Sequence, residues 1–336
     1  MKQSKLFDDQ LLVITGAAGF IGSGTVRYLN DKGIANLLLV DDLKFSEKWK
    51  NLVGKSFYDI ISRHDLMQFL FEKKSIIAGI LHLGACSDTA ETNGDYLLKN
   101  NYRYSIKLAE FALLNDIPFV YASSAATYGD GSIGFFDNEH QLKMLRPLNR
   151  YGFSKHLFDL WLLREGVLDK VIGLKYFNVF GPNEYHKKHM SSWILKMSNE
   201  LKKTNVVKLF RSNDPNFKDG EQCRDFIYVK DAVRMTCNLL DGAFQGVSGI
   251  FNIGTGKAST WKELALALFK AINKKPEIEF VDMPDIYKKQ YQNYTCADMC
   301  KYNSFLQKSK NLFQTSSLDE TVKEYVQQYI LKGARW

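Results

Sequence analysis

Tyr151 and Lys155 stand four residues apart in YGFSK, which places both side chains on one face if a helix runs there. A free phenol ionises near ~10 and is a poor base at neutral pH. A lysine ammonium one turn away lowers that value, and a positively charged cofactor ring lowers it further. Ser124, in YASSAATYG, offers a hydroxyl that can hold a reacting oxygen beside the phenol. Together the three can pass a proton while a redox cofactor oxidises an alcohol. Tyr-x-x-x-Lys alone more often marks a solvated helix face; the serine and a glycine loop upstream turn the reading towards catalysis.

That loop is TGAAGFIG, with Gly16, Gly19 and Gly22 after an apolar run and at the start of a helix-like stretch. The first glycine permits a tight turn, the second lets the backbone approach a pyrophosphate, and the third lets helix and sheet pack closely. The phosphates then rest on unpaired amides at the helix N-terminus. Asp41 and Asp42 follow about twenty residues on, where a carboxylate receives an adenosine ribose. Lys44 and Lys48 come next and can pair with a 2′-phosphate, so NAD and NADP both stay open.

Positioning these residues requires strands alternating with helices. Strand-like runs at 11–15, 36–40, 76–83, 118–122 and 171–179 alternate with helix-like stretches at 21–31, 96–114 and 151–165. This order predicts an α/β fold with a Rossmann-type, doubly wound parallel sheet, helices covering both faces. Beyond residue 181 the chain turns polar and lysine-rich. Residues 225–240 read as a helix and 249–254 as a buried strand returning to the first domain; 260–272 and 318–331 read as amphipathic helices. The expected division is a dinucleotide-binding domain at 1–180 plus about 225–256, and a smaller α/β substrate-binding domain at 181–224 and 257–336. The polar segment 212–222 reads as a mobile loop.

The 336 residues, 45% hydrophobic and 24% charged, suit a globular protein with ample core. No apolar run approaches the ~20 residues of a membrane span. Residues 1–10 are polar with both charge signs, unlike a signal peptide, so the expected location is cytoplasmic. The net charge of +8 is scattered, which argues for a phosphorylated small molecule over nucleic acid. Five dispersed cysteines lack the spacing of a metal site, and none is expected.

The succession TGAAGFIG, SSAATYG, YGFSK, FNVFGP and RDFIYVKD resembles the extended short-chain dehydrogenases/reductases that act on nucleotide sugars, over nearly the whole chain. Dehydratases of that group carry an acid pair after the catalytic Ser/Thr. Ala125 and Ala126 stand there, so the resemblance implies an epimerase. GACSDTAETNGDYLLKNNYRYS, GPNEYHKKHM and YQNYTCADM are similar to segments of one branch of these epimerases.

The resemblance implies transient oxidation to a ketone and hydride return from a tightly bound nicotinamide cofactor, one per subunit, with NADP favoured in the family. It implies further cofactor contacts from Phe20, Ile21, Gly84, Ala85 and Asn100, and substrate contacts from Ser87, Ser124, Asn178, Arg224 and Tyr291. Arg224 suits a diphosphate, although a salt bridge to Asp225 or Asp231 would equally explain it. Lys187 is implied as a second acid/base, against the plainer reading of 186–189 as a solvated basic loop with Lys188 competing for the register. A homo-oligomer is implied, pentamers among the forms. A UDP-sugar 4-epimerase and a non-catalytic cofactor sensor remain the alternatives.

Overall fold

The computed structural model describes residues 10–288, 291–311 and 313–336. Strand β1 (Leu11–Thr15) is buried along its whole length and feeds two cores: Leu12 and Ile14 enter one, Leu11 and Val13 the other. Burial on both faces is why the run reads as continuously apolar rather than alternating. β2 (Leu37–Val40) and β3 (Asp59–Ile61) lie to one side of β1, and β4 (Ile77–His82), β5 (Phe119–Ser124) and β6 (Ile172–Tyr176) to the other. All pair in parallel. Two short strands, β7 (Asn178–Phe180) and β8 (Val207–Phe210), and then β9 (Cys223–Tyr228) precede β10 (Gly249–Ile253). β10 closes the far edge beside β6, giving the seven-stranded order 3-2-1-4-5-6-10.

Helix α1 (Phe20–Asn30) covers one face with Val26 and Leu29. On the other face, α2 (Leu66–Lys73) packs Leu66 and Leu70, α3 (Gly94–Leu97) leads into α4 (Tyr104–Leu114), and α5 (Arg150–Arg164) contributes Phe158 and Leu162. After α6 (Trp193–Thr204), α7 (Val229–Ala243) returns beside α1 with Ala232 and Val233. The rest builds two small sheets. In one, β9 lies between β7 and β11 (Ala258–Thr260); in the other, β12 (Ile278–Val281) pairs with β8. α8 (Trp261–Ala271) follows β11 and starts on a capping box between Thr260 and Glu263. Among the described residues, no helix is long and apolar enough to cross a membrane.

Four expectations need correction. Residues 225–240 are not one helix: 223–228 form β9, and the helix starts at Val229. Phe226, Val229 and Val233 happen to fit helical spacing, but pairing with β7 and β11 holds the first half extended. The run 171–179 breaks at Phe177, where the chain leaves the large sheet for the small one. The stretch 96–114 contains a wider, π-type segment, Leu98–Arg103, which turns both Asn100 and Asn101 inward. Segment 212–222 is tied in place: Ser212 N–H donates to Asp219 (2.9 Å), Lys262 N–H to Gly220 O (2.9 Å), and Gln222 is fully buried.

Candidate active site

A cleft of about 1070 Å³ opens along the carboxyl edge of the large sheet. In open α/β sheets that edge is where ligands bind. A second hollow of about 470 Å³, beside Asp137, Glu139 and Lys301, shares no residue with it.

The glycine loop forms one end. Gly16 adopts φ +67°, and a Cβ there would come within 2.7 Å of Gly84 Cα. A Cβ on Gly22 would lie 2.2 Å from Gly16 O, so only glycine lets α1 start this close to β1. α1 has no side-chain cap at Gly19, and Gly19, Phe20, Ile21 and Gly22 line the cleft. An uncapped helix start facing a cleft fits a dinucleotide diphosphate. Asp41 takes Ala18 N–H on one oxygen (2.9 Å) and Lys48 on the other (2.5 Å). Asp42 pairs with Arg63 at 2.8 Å, and Arg63 also donates to Asn100. Gly84, Ala85, Asn100, Lys44 and Lys48 line the same end.

Beneath this loop sits His82, fully buried at the end of β4. Ser105 Oγ gives its hydrogen to Asn101 O (2.6 Å), so it must accept from His82 Nε2 (2.9 Å). His82 Nδ1 therefore accepts from Thr15 Oγ1 (2.7 Å), which itself receives Gly84 N–H (3.0 Å). Burial, with Lys155 adding to it, lowers the imidazole pKa from 6.5 to about 3. A group depressed on folding takes up its proton in the unfolded chain first, so stability falls as pH drops from 6.5 towards 3. Going from about pH 7 to about pH 4.5 should remove ~3 kcal/mol through His82 alone. Urea unfolding at both pH values measures this, and His82→Asn should flatten that part of the dependence.

The chemistry-bearing side chains meet at the middle of the cleft. α5 is capped by Asn149, which accepts Gly152 N–H at 2.7 Å. A Cβ on Gly152 would lie 2.7 Å from Ala126 O, so this glycine lets the first turn of α5 press on the turn after Ser124. Tyr151 thereby reaches Ser124. Burial raises the phenol pKa, and a hydrogen bond with Ser124 offsets part of the rise. One turn on, Lys155 is buried and its pKa is lowered to about 8 by desolvation, with Asp159 opposing. Asn101, in the π-type segment, donates to Cys86 O (2.9 Å) and to Ser154 Oγ (3.0 Å), tying the loop after β4 to α5. Ser87 and Asn178 line the cleft nearby.

Lys187 enters from the short turn Tyr185–Met190. It faces the cleft, with Nζ 5.5 Å from the Phe20 ring, whereas Lys188 is exposed. The stretch 186–189 is therefore not wholly solvated, and of its two lysines Lys187 is the one that lines the cleft. Burial lowers the Lys187 pKa, and Glu184 opposes. His186 is likewise lowered, to about 4, chiefly by burial. His189 meets Asp88 at 2.9 Å at the rim.

Arg224 is buried and stacks on Tyr291 (4.8 Å) and Trp261 (5.5 Å). Neither predicted salt bridge forms: Asp225 is occupied by Thr255, Gly256 and Ala297 amides, and Asp231 by Ser316 N–H. Tyr291 lines the cleft, while Arg224 stands behind it. The sequence reading missed the aromatic wall here: Trp193, Phe226 and Trp261 pack together with centroids 5.0–5.6 Å apart. These rings come from separate elements and share no local spacing.

A parallel sheet with a glycine-lined helix start, and serine, tyrosine and lysine together at its carboxyl edge, is the arrangement of a nicotinamide-dependent enzyme. The model of the NAD dependent epimerase/dehydratase family matches residues 12–254, and the chain belongs to that family. It is 46% identical over 322 residues to the ADP-L-glycero-D-manno-heptose-6-epimerase of Nitratidesulfovibrio vulgaris (strain DP4), covering 95% of this chain and 98% of the relative. The enzyme of the same name from Fusobacterium nucleatum is 40% identical, with 96% and 98% covered. The crystal structure of the Helicobacter pylori ADP-L-glycero-D-manno-heptose-6-epimerase superposes with a TM-score of 0.76 at 26% identity, covering 96% and 98%.

Proposed function

We propose that this protein interconverts ADP-D-glycero-D-manno-heptose and ADP-L-glycero-D-manno-heptose at C6″, supplying the L-glycero sugar for the lipopolysaccharide inner core. The observation that carries the reading is that two proton-handling groups, Tyr151 on α5 and Lys187 on the 185–190 turn, enter one cleft from different elements. Near-full-length similarity to heptose epimerases names the sugar.

The hydrogen on C6″ is not acidic, so inversion has to pass through a ketone. Gly16, Gly19, Gly22 and Asp41 would hold the cofactor, whose nicotinamide would supply the oxidation of C6″ and the matching reduction of the ketone. Ser124 holds the C6″ oxygen while Tyr151 takes or returns its proton, with Lys155 lowering the cost of the phenolate. After rotation about C5″–C6″ the oxygen faces Lys187, whose desolvated amine handles the proton of the other epimer. The aromatic wall and Tyr291, backed by Arg224, receive the nucleotide. The adenosine end carries both the acids that receive an unsubstituted ribose and the cations that receive a 2′-phosphate, so the cofactor is NAD(P). The ratio of the two released from purified protein decides between them.

Incubation with ADP-D-glycero-D-manno-heptose, following C6″ by NMR, should show conversion with no net consumption of cofactor. Lys187→Ala should slow it by roughly 10²-fold or more. Turnover of UDP-galactose with none of the heptose would overturn the substrate assignment.

A further inference from the structure

We infer that Asn51 and Asn183, together with residues 334–336, are positioning residues that lock the Lys187 turn onto the cofactor loop; this rests on the role proposed for Lys187. Neither asparagine lines the cleft, yet both are almost wholly buried, at 1% and 0% exposure. The two Nδ2 hydrogens of Asn51 go to Ala18 O (3.1 Å) in the glycine loop and to Asn183 O (3.0 Å), four residues before Lys187. Its Oδ1 accepts from Arg335 Nε (3.1 Å). One side chain thus joins the cofactor loop, the Lys187 segment and the last turn of chain.

Asn183 completes the lock. Its Nδ2 donates to Ser23 Oγ on α1 (3.1 Å) and to Trp336 O (2.9 Å), and its Oδ1 accepts Trp336 N–H (2.9 Å). Its backbone sits at φ +77°, the left-handed region that asparagine tolerates better than most residues. Tyr185 donates to Ala334 O at 2.9 Å, and the Arg335 guanidinium lies 5.3 Å over the Tyr185 ring. Lys55 closes the back, donating to Asn51 O (2.6 Å) and Trp336 O (2.7 Å). On the other side Glu184 accepts from Ser192 Oγ (2.6 Å) and Tyr325 OH (2.9 Å). The Lys187 turn is therefore gripped from the cofactor side and from its own side. Backbone shifts of about 1 Å at a reacting group can cost on the order of 10²-fold in rate.

Asn183→Gly is the discriminating variant, because glycine accepts the positive φ and only the side-chain clamp is lost. Asn51→Ala removes the link to the cofactor loop, and Arg335→Ala is a milder third change. Each holoprotein is mixed with one epimer at a time, and the first oxidation is followed by cofactor absorbance against pH. Lys187→Ala serves as reference, and hydrogen exchange of residues 183–190 is recorded alongside. The expected result is a loss of roughly ten-fold or more for the epimer that Lys187→Ala impairs, with the other epimer near wild type. Exchange of 183–190 should quicken, and the acid limb of the impaired direction should move to higher pH as water reaches Lys187. If both epimers slow equally, or neither does, while Lys187→Ala is selective, the positioning role is overturned and the Lys187 reading stands. If Lys187→Ala is itself unselective, the Lys187 reading falls and this inference with it.

Discussion

Tyr151→Phe should give a folded, cofactor-loaded protein whose epimerisation is roughly 10²–10⁴-fold slower than wild type. In barrier terms that is about 3–5 kcal/mol. The substitution keeps the ring and its packing and removes only the oxygen to which the proposed mechanism gives the C6″ proton. Little else in the site should move: Ser124 keeps its bond from Ala126 N–H (3.1 Å), and α5 keeps its Asn149 cap. Lys155 alone does not replace the phenol. It is buried one turn further along α5, at the wall of the same cleft. The measurement is single-turnover conversion by NMR, with melting temperature and bound-cofactor content as controls. A variant with near wild-type turnover would mean that the phenol is not the acid/base and that Lys187 carries both directions.

The parts of this site that the sequence discloses are those whose chemistry lies within one turn or one loop. Tyr151 and Lys155 share a helical period, Gly16 to Gly22 share a loop, and Ser124 ends an apolar run; each is legible because neighbours in sequence are neighbours in space. Lys187 is different. No spacing marks it out from Lys188, and only the structure, with Lys187 half-buried on the cleft wall and Lys188 exposed, shows which lysine faces inward. Arg224 reads equally well as an ion-pair partner until the structure shows the neighbouring aspartates already satisfied. β9 escapes because its apolar residues fit a helix as well as a strand, and long-range pairing decides. Asn51 and Asn183 are invisible to any window: their bond spans 132 positions, and polar residues of this kind usually mark turns.

The catalytic helix has a second dependence that runs through Asp159, one turn below Lys155 on the face that carries Tyr151. Asp159 and Lys175 form an ion pair at 3.0 Å with side chains 0% and 1% exposed. Two charges so deep need further partners to offset lost hydration. Asp159 also accepts from Tyr121 OH (2.9 Å) and Ser123 Oγ (2.8 Å), and Lys175 donates to Thr127 Oγ1 (2.5 Å). The network therefore bolts α5 to β5 and β6 just below the reacting groups. Asp159→Ala strands the Lys175 ammonium and should destabilise the protein by about 3–5 kcal/mol in urea unfolding. Pairing it with Lys175→Met removes the stranded charge and should restore part of the loss. Recovery stays incomplete because Tyr121 and Ser123 keep unmatched hydroxyls, at about 1–3 kcal/mol each. If Asp159→Ala cost less than about 1 kcal/mol, the pair would be dispensable to the fold, and the placement of α5 would have to come from its apolar contacts through Phe158 and Leu162. Should the double variant fold well yet turn over slowly with normal cofactor content, the charge network would be setting the tilt of α5, and so the aim of Tyr151.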